Sequence, residues 1–99
     1  AAVGLADGRE IPLAGLFLAP RTAPASELGA MLGCETQEGP TGPYLVVDGM
    51  QATSVPGVFA SGDLANPMAN ATLAAAAGVM AGVSAHRSLI FNPELAEAA

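Results

Sequence analysis

Residues 70 to 91 hold no proline and are dominated by alanine. That stretch predicts a single helix, about 30 Å long at ~1.5 Å per residue. Leu73, Val79, Met80, Val83, Leu89, Ile90 and Phe91 supply its bulk, so it is apolar nearly all round. A helix of that kind is expected to lie buried within a larger protein. Gly78, Ala81, Gly82 and Ala85 give it small faces suited to close packing on a sheet. Asn66 with Pro67, or Asn70 alone, can open it. Asn92-Pro93 is expected to close it, with a loose tail from Glu94 to Ala99. The spacing Gly78-x-x-x-Gly82 also occurs in membrane helices. A membrane span is nevertheless not expected. Alanine contributes little transfer energy, Asn66 and Asn70 sit at the start, and His86-Arg87 lie inside the run.

The segment before this helix carries the chemistry. Thr53-Ser-Val-Pro-Gly-Val-Phe-Ala-Ser-Gly-Asp63 reads as a Pro-Gly bend, a short buried strand over 58–60, and a Gly-Asp step at the strand's carboxyl end. In an open α/β sheet ligands bind at that edge. Gly62 has no Cβ, so backbone or ligand can approach closely. The Asp63 carboxylate suits hydrogen bonds from sugar or polyol hydroxyls. A helix N-terminus near Asn70 offers free N–H groups and a positive dipole end to an electron-rich ligand atom. The bland reading of Gly62-Asp63 is a turn with a capping Asp. The order of bend, strand, Gly-Asp and small-residue helix favours a ligand site.

The remaining chain is short strands and turns. Val3 to Leu5 and Ile11 to Leu13 are strand candidates around an Asp7-Gly8 turn. Gly15 to Ala19 is a continuous apolar run that reads as a core strand, ended by Pro20. Four prolines, with Gly33, Gly39 and Gly42, punctuate residues 20 to 43, where Ser26 can cap a short helix from Glu27 to Leu32, stopped at Gly33. The rest of that stretch reads as loop. Tyr44 to Val47 is another strand, followed by an Asp48-Gly49 turn.

Length and charge bound the function. With 99 residues the chain is one domain at most. Nine Asp plus Glu stand against three Arg and no Lys, with no basic cluster. Nucleic acid and anionic membrane surfaces are therefore not expected partners. One cysteine, Cys34, allows neither an internal disulfide nor a Cys-x-x-Cys pair, and with one histidine it cannot build a structural zinc site. No signal-peptide order is visible, so a cytoplasmic location is expected. The start at Ala1-Ala2-Val3 suggests a piece of a longer protein.

The string Thr53 to Asp63 resembles the second FAD-binding motif of two-dinucleotide-domain flavoproteins, the thioredoxin reductases and related pyridine nucleotide-disulfide oxidoreductases. Gly15-Leu-Phe-Leu-Ala-Pro-Arg-Thr22 is similar to the strand and turn where such chains leave the NAD(P)H domain. Gly42-Pro-Tyr-Leu-Val-Val-Asp48 is similar to the strand before the FAD motif. Ala71-Thr-Leu-Ala-Ala-Ala-Ala-Gly78 is similar to the start of the flavin-facing helix. The likeness spans roughly residues 3 to 91. Its compact ending after one helix points to the thioredoxin reductase branch.

The resemblance implies an α/β fold: the C-terminal part of a two-domain FAD/NAD(P)-binding flavoprotein, with short strands and a long final helix. Residues 1–22 would hold the last strands of the NAD(P)H-binding domain and the crossover. Residues 23–99 would belong to the FAD-binding domain. Gly62 and Asp63 would bind FAD, Asp63 on its ribityl chain. Backbone N–H groups around Asn70, Ala71 and Thr72 would face the flavin's pyrimidine edge. FAD is the implied cofactor, with NAD(P)H in the intact parent. The implied partners are the N-terminal part of the same enzyme and a second copy in a homodimer. The intact enzyme would be an FAD-dependent NAD(P)H oxidoreductase, and the 99 residues alone inactive. Two departures stand out. Ala69-Asn70 replace an Arg-Gln that is frequent before the helix, and Ala19-Pro-Arg21 replace a turn that usually carries Gly and His. No Gly-x-Gly-x-x-Gly and no Cys-x-x-Cys occur in these residues. The competing expectation is a non-catalytic module that keeps the fold for packing or assembly and binds no flavin.

Other residues have plainer readings. Cys34 reads as a loop or packing thiol, and His86 and Arg87 as complements to the helix dipole. Arg21 is as readily a surface residue as a hinge residue.

Overall fold

The computed structural model describes residues 1–91; the expected helix stop at Asn92-Pro93 and the tail lie outside the described residues. The first element is a hairpin. Strand β1 (Ala2–Gly4) pairs antiparallel with β2 (Glu10–Pro12), with Val3 opposite Ile11. Asp7-Gly8 forms the expected turn: Gly8 takes φ +90° and its N–H donates to Leu5 O at 3.0 Å.

The next stretch departs from expectation. Gly15 to Ala19 is not a strand but an extended, exposed segment, with Phe17 fully exposed. An apolar run becomes a strand only where a neighbour completes its ladder, and among the described residues nothing pairs with it. Helix α1 (Leu28–Leu32) matches the expected short helix, closed by Gly33 in the left-handed region. Its Ncap is Glu27 rather than Ser26, whose Oγ instead accepts from Leu28 N at 3.1 Å.

The expected loop over 33–43 contains strand β3 (Thr36–Glu38), which pairs antiparallel with β4 (Pro43–Leu45). Strand β4 begins and ends earlier than the apolar run over 44–47 implies. Polar Thr36, Gln37 and Glu38 hide a strand from hydrophobic pattern, because all three are exposed and the pairing uses their backbones. The expected strand over 58–60 is reduced to one antiparallel bridge between Ala52 and Phe59. Both sheets are two-stranded and antiparallel. Of the expected α/β fold, strands and helices are both present, while the parallel sheet of a dinucleotide-binding domain is not formed among the described residues.

Helix α2 (Ala71–Phe91) is the long helix read from the sequence. Among the described residues it is mostly exposed, whereas the sequence reading expects burial within a larger protein. The half-buried and buried positions are Ala74, Ala77, Ala81, Ser84, Ala85 and Ser88, one stripe at helical spacing. The bulky residues face outward: Val79 is 68% and Phe91 75% exposed. The small stripe permits close approach but buries little apolar area. Gly78 lies near Ser61, since a Cβ there would stand 3.9 Å from Ser61 Oγ, whereas Gly82 meets nothing within 4 Å. By length and composition α2 is apolar enough to cross a membrane, a test that core helices of soluble proteins also pass.

The core is small. Cys34, Leu45, Ala60 and Ala65 are buried, with Val47, Val55 and Val58 packed against them. The radius of gyration is 18.3 Å, against roughly 13 Å for a compact chain of this size. So few buried side chains leave the apolar faces of α2 and of residues 15–18 bare.

Candidate functional site

The site is built from the turn that precedes it. The Thr53 hydroxyl accepts from Val55 N at 3.2 Å and donates to Val58 O at 2.8 Å, while Thr53 N also donates to Val58 O at 3.0 Å. These bonds close the Pro56-Gly57 bend, with Gly57 at φ +83°. The Cys34 thiol donates to the same Thr53 oxygen at 3.7 Å. Cys34 is thus a packing thiol in the turn's foundation, in the wall of an apolar hollow of about 410 Å³ that also reaches Leu45, Phe59 and Ser61. The bend delivers Ala60 to the core and Ser61 in extended conformation.

At Gly62 the backbone takes φ +78°, a region that costs an ordinary L-residue strain. There is room for a side chain, because a Cβ would stand 4.0 Å from Ala74 Cβ. Gly62 is therefore required for its conformation, not for lack of space. The reversal starts a 3₁₀ turn over Gly62–Leu64, whose Gly62 O accepts from Ala65 N at 3.0 Å and Asn66 N at 2.8 Å. It turns Asp63 outward. The Asp63 carboxylate is exposed and has no hydrogen-bond or ion-pair partner among the described residues. The capping role offered by the bland reading is not what Asp63 does here, as no backbone N–H reaches its carboxylate among the described residues.

Asn66 and Asn70 divide their roles. Asn66 Oδ1 accepts from Met68 N at 3.3 Å, making a local turn before Pro67. Asn70 is the helix cap: its Oδ1 accepts from Leu73 N at 2.9 Å and its carbonyl from Ala74 N at 2.9 Å. The N–H groups of Ala71 and Thr72 have no acceptor among the described residues, so the first turn of α2 presents free donors at the positive end of its dipole.

Asp63 lines a cleft of about 330 Å³. Its other walls are Thr22, Ala23, Pro24 and Ala25 from the extended connection, Pro43 from the start of β4, and Leu64 and Pro67. Asn70, Ala71 and Thr72 are outside this lining, so Asp63 and the helix donors are neighbouring features rather than one pocket. Gly62 links them, since its turn packs on the first turns of α2. The sequence reading missed the contribution of Thr22 to Ala25 and Pro43. A signal existed in Thr22, which ends the segment set apart as a crossover.

The chain's course is similar to part of an oxidoreductase of known structure. It superposes on the crystal structure of an oxidoreductase from Agrobacterium tumefaciens with a TM-score of 0.76 and 47% identity, covering 93% of this chain and 31% of that one. The chain is, more narrowly, thioredoxin reductase-like. A protein named thioredoxin reductase sirT, from Leptosphaeria maculans, is 39% identical over 82 residues, which are 83% of this chain and 24% of that protein. The chain therefore spans about a quarter of the curated relative it matches. No family profile matches it.

Proposed function

We propose that this chain supplies the flavin-binding edge of an FAD-dependent NAD(P)H oxidoreductase of the thioredoxin reductase type. The observation that carries the reading is the Gly62 reversal, which holds an exposed, unpartnered Asp63 on a cleft beside the capped start of α2. A carboxylate that no protein group satisfies is free to accept from the hydroxyls of a ribityl chain. The donors of Ala71 and Thr72 suit the electron-rich pyrimidine edge of an isoalloxazine, whose negative charge on reduction the helix end stabilises. Bound FAD would supply the redox chemistry, taking hydride from NAD(P)H for delivery to an acceptor. The residues of this chain named above would bind and orient the group.

In this reading residues 1–22 belong to the NAD(P)H-binding domain and residues 23–99 to the FAD-binding domain. The hairpin β1–β2 supports that division, since it makes no hydrogen bond to any residue beyond 22 among the described residues. The N-terminal part of the enzyme would cover the bare faces of residues 15–18 and α2. The test is flavin content after purification of the intact protein. Asp63→Ala is expected to lose FAD on gel filtration while its circular dichroism stays that of the wild type. Full flavin retention by the variant would remove Asp63 from the site. A protein that carries no flavin at all, with or without the substitution, would favour a non-catalytic module.

A further inference from the structure

The wall of the Asp63 cleft opposite the Gly-Asp turn is made by the connection over 22–25, and that connection is not held by regular structure. It is held by a small set of contacts to the β3–β4 hairpin loop. Thr22 N donates to Thr41 O at 2.6 Å. The Thr22 hydroxyl donates to Thr41 Oγ1 at 3.3 Å. Arg21 Nη2 pairs with Glu38 Oε2 at 3.3 Å. Gly42, buried at φ +145°, leaves the space into which the Thr22 carbonyl fits.

We infer that Thr22, Thr41 and Gly42 form a clasp that sets the width of the Asp63 cleft, making Thr41 a positioning residue for the ligand although it does not line the cleft. Three observations converge on this. Four consecutive residues of the clasped segment, Thr22 to Ala25, face the cleft directly. The clasp's loop, 39–42, leads straight into Pro43, which lines the same cleft. Gly39 N donates to Gly42 O at 2.9 Å, so the loop is itself closed and offers a stiff anchor. The clasp also sits where the chain passes from the β1–β2 arm to the remainder.

This inference rests on the reading of the Asp63 cleft as a flavin site, and the experiment separates the two. The intact flavoprotein is stripped of cofactor and titrated with FAD, following quenching of flavin fluorescence. Thr41→Val removes the hydroxyl pair and keeps the backbone acceptor. It is expected to raise the FAD dissociation constant about three- to tenfold, the scale of one neutral hydrogen bond. Thr41→Ser is expected to restore wild-type affinity, which a change in packing alone would not do. If Asp63→Ala loses FAD but Thr41→Val binds as the wild type does, the clasp is overturned and the flavin site stands. If Asp63→Ala itself binds FAD normally, the flavin site falls and the clasp's proposed role falls with it. If Thr41→Val fails to fold, Thr41→Ala is titrated in its place: weakened FAD binding upholds the clasp, and wild-type affinity overturns it.

Discussion

Replacing Gly42 by alanine separates two costs that glycines at positive φ usually combine. The φ of +145° lies where L-residues are strained, a cost of about 1–3 kcal/mol. The second cost is steric. A Cβ built at Gly42 runs into the carbonyl oxygen of Thr22, with Thr22 C at 3.0 Å and Thr22 N at 3.4 Å. These are backbone atoms, so no rotamer change relieves the clash. The connection must lift off the loop, and the Thr22 N–H to Thr41 O bond goes with it, at about 0.5–1.5 kcal/mol. Together the expected loss is about 2–4 kcal/mol. Gly33 is the matched control: its φ of +82° is also left-handed, but a Cβ there meets nothing within 4 Å. Gly33→Ala should therefore cost only about 1–2 kcal/mol. Urea unfolding of both variants in the intact protein gives the difference, and amide exchange at Thr22 shows whether the clasp has opened. Equal losses for the two variants, or a protected Thr22 amide in Gly42→Ala, would refute the steric part of the reasoning.

Asn70→Ala removes the acceptor for Leu73 N and is expected to cost about 1 kcal/mol, read as faster amide exchange confined to the first turn of α2. An effect on the whole helix, or none, would place the cap elsewhere. Gly78→Leu and Gly82→Leu should differ, although the sequence treats them alike. A Cβ at Gly78 already reaches contact distance of Ser61, so the longer Leu side chain must displace it and should lower the thermal midpoint by at most about 1 kcal/mol, whereas Gly82 faces open space among the described residues. An equal loss at Gly82 would show that further protein is packed there.

Local chemistry was legible in the sequence because local chemistry made it. Asp7-Gly8 dictates a hairpin turn, Gly33 stops α1, Asn70 caps α2, and a proline-free alanine run is helical whatever surrounds it. The Gly62-Asp63 step could be picked out from the order of bend, apolar run and Gly-Asp, but the reason expected for Gly62 is close approach, whereas the structure uses it for its positive φ. Tertiary structure alone decided three things. Gly15 to Ala19 carries the pattern of a core strand yet is bare, because pairing needs a neighbour that a local sequence cannot provide. Strand β3 is invisible to hydrophobic pattern, because its three polar residues are recruited through backbone bonds to β4. The walls of the Asp63 cleft come from residues 22–25, 43 and 63–67. They are brought together by a hydrogen bond between Thr22 and Thr41 that spans nineteen residues. Periodicity and propensity act over a few residues at a time, so they set which way α2 begins but not that its bulky face would be left outward. That face is fixed by what the small stripe meets, and only the folded chain places Ser61 and the Gly62 turn against it.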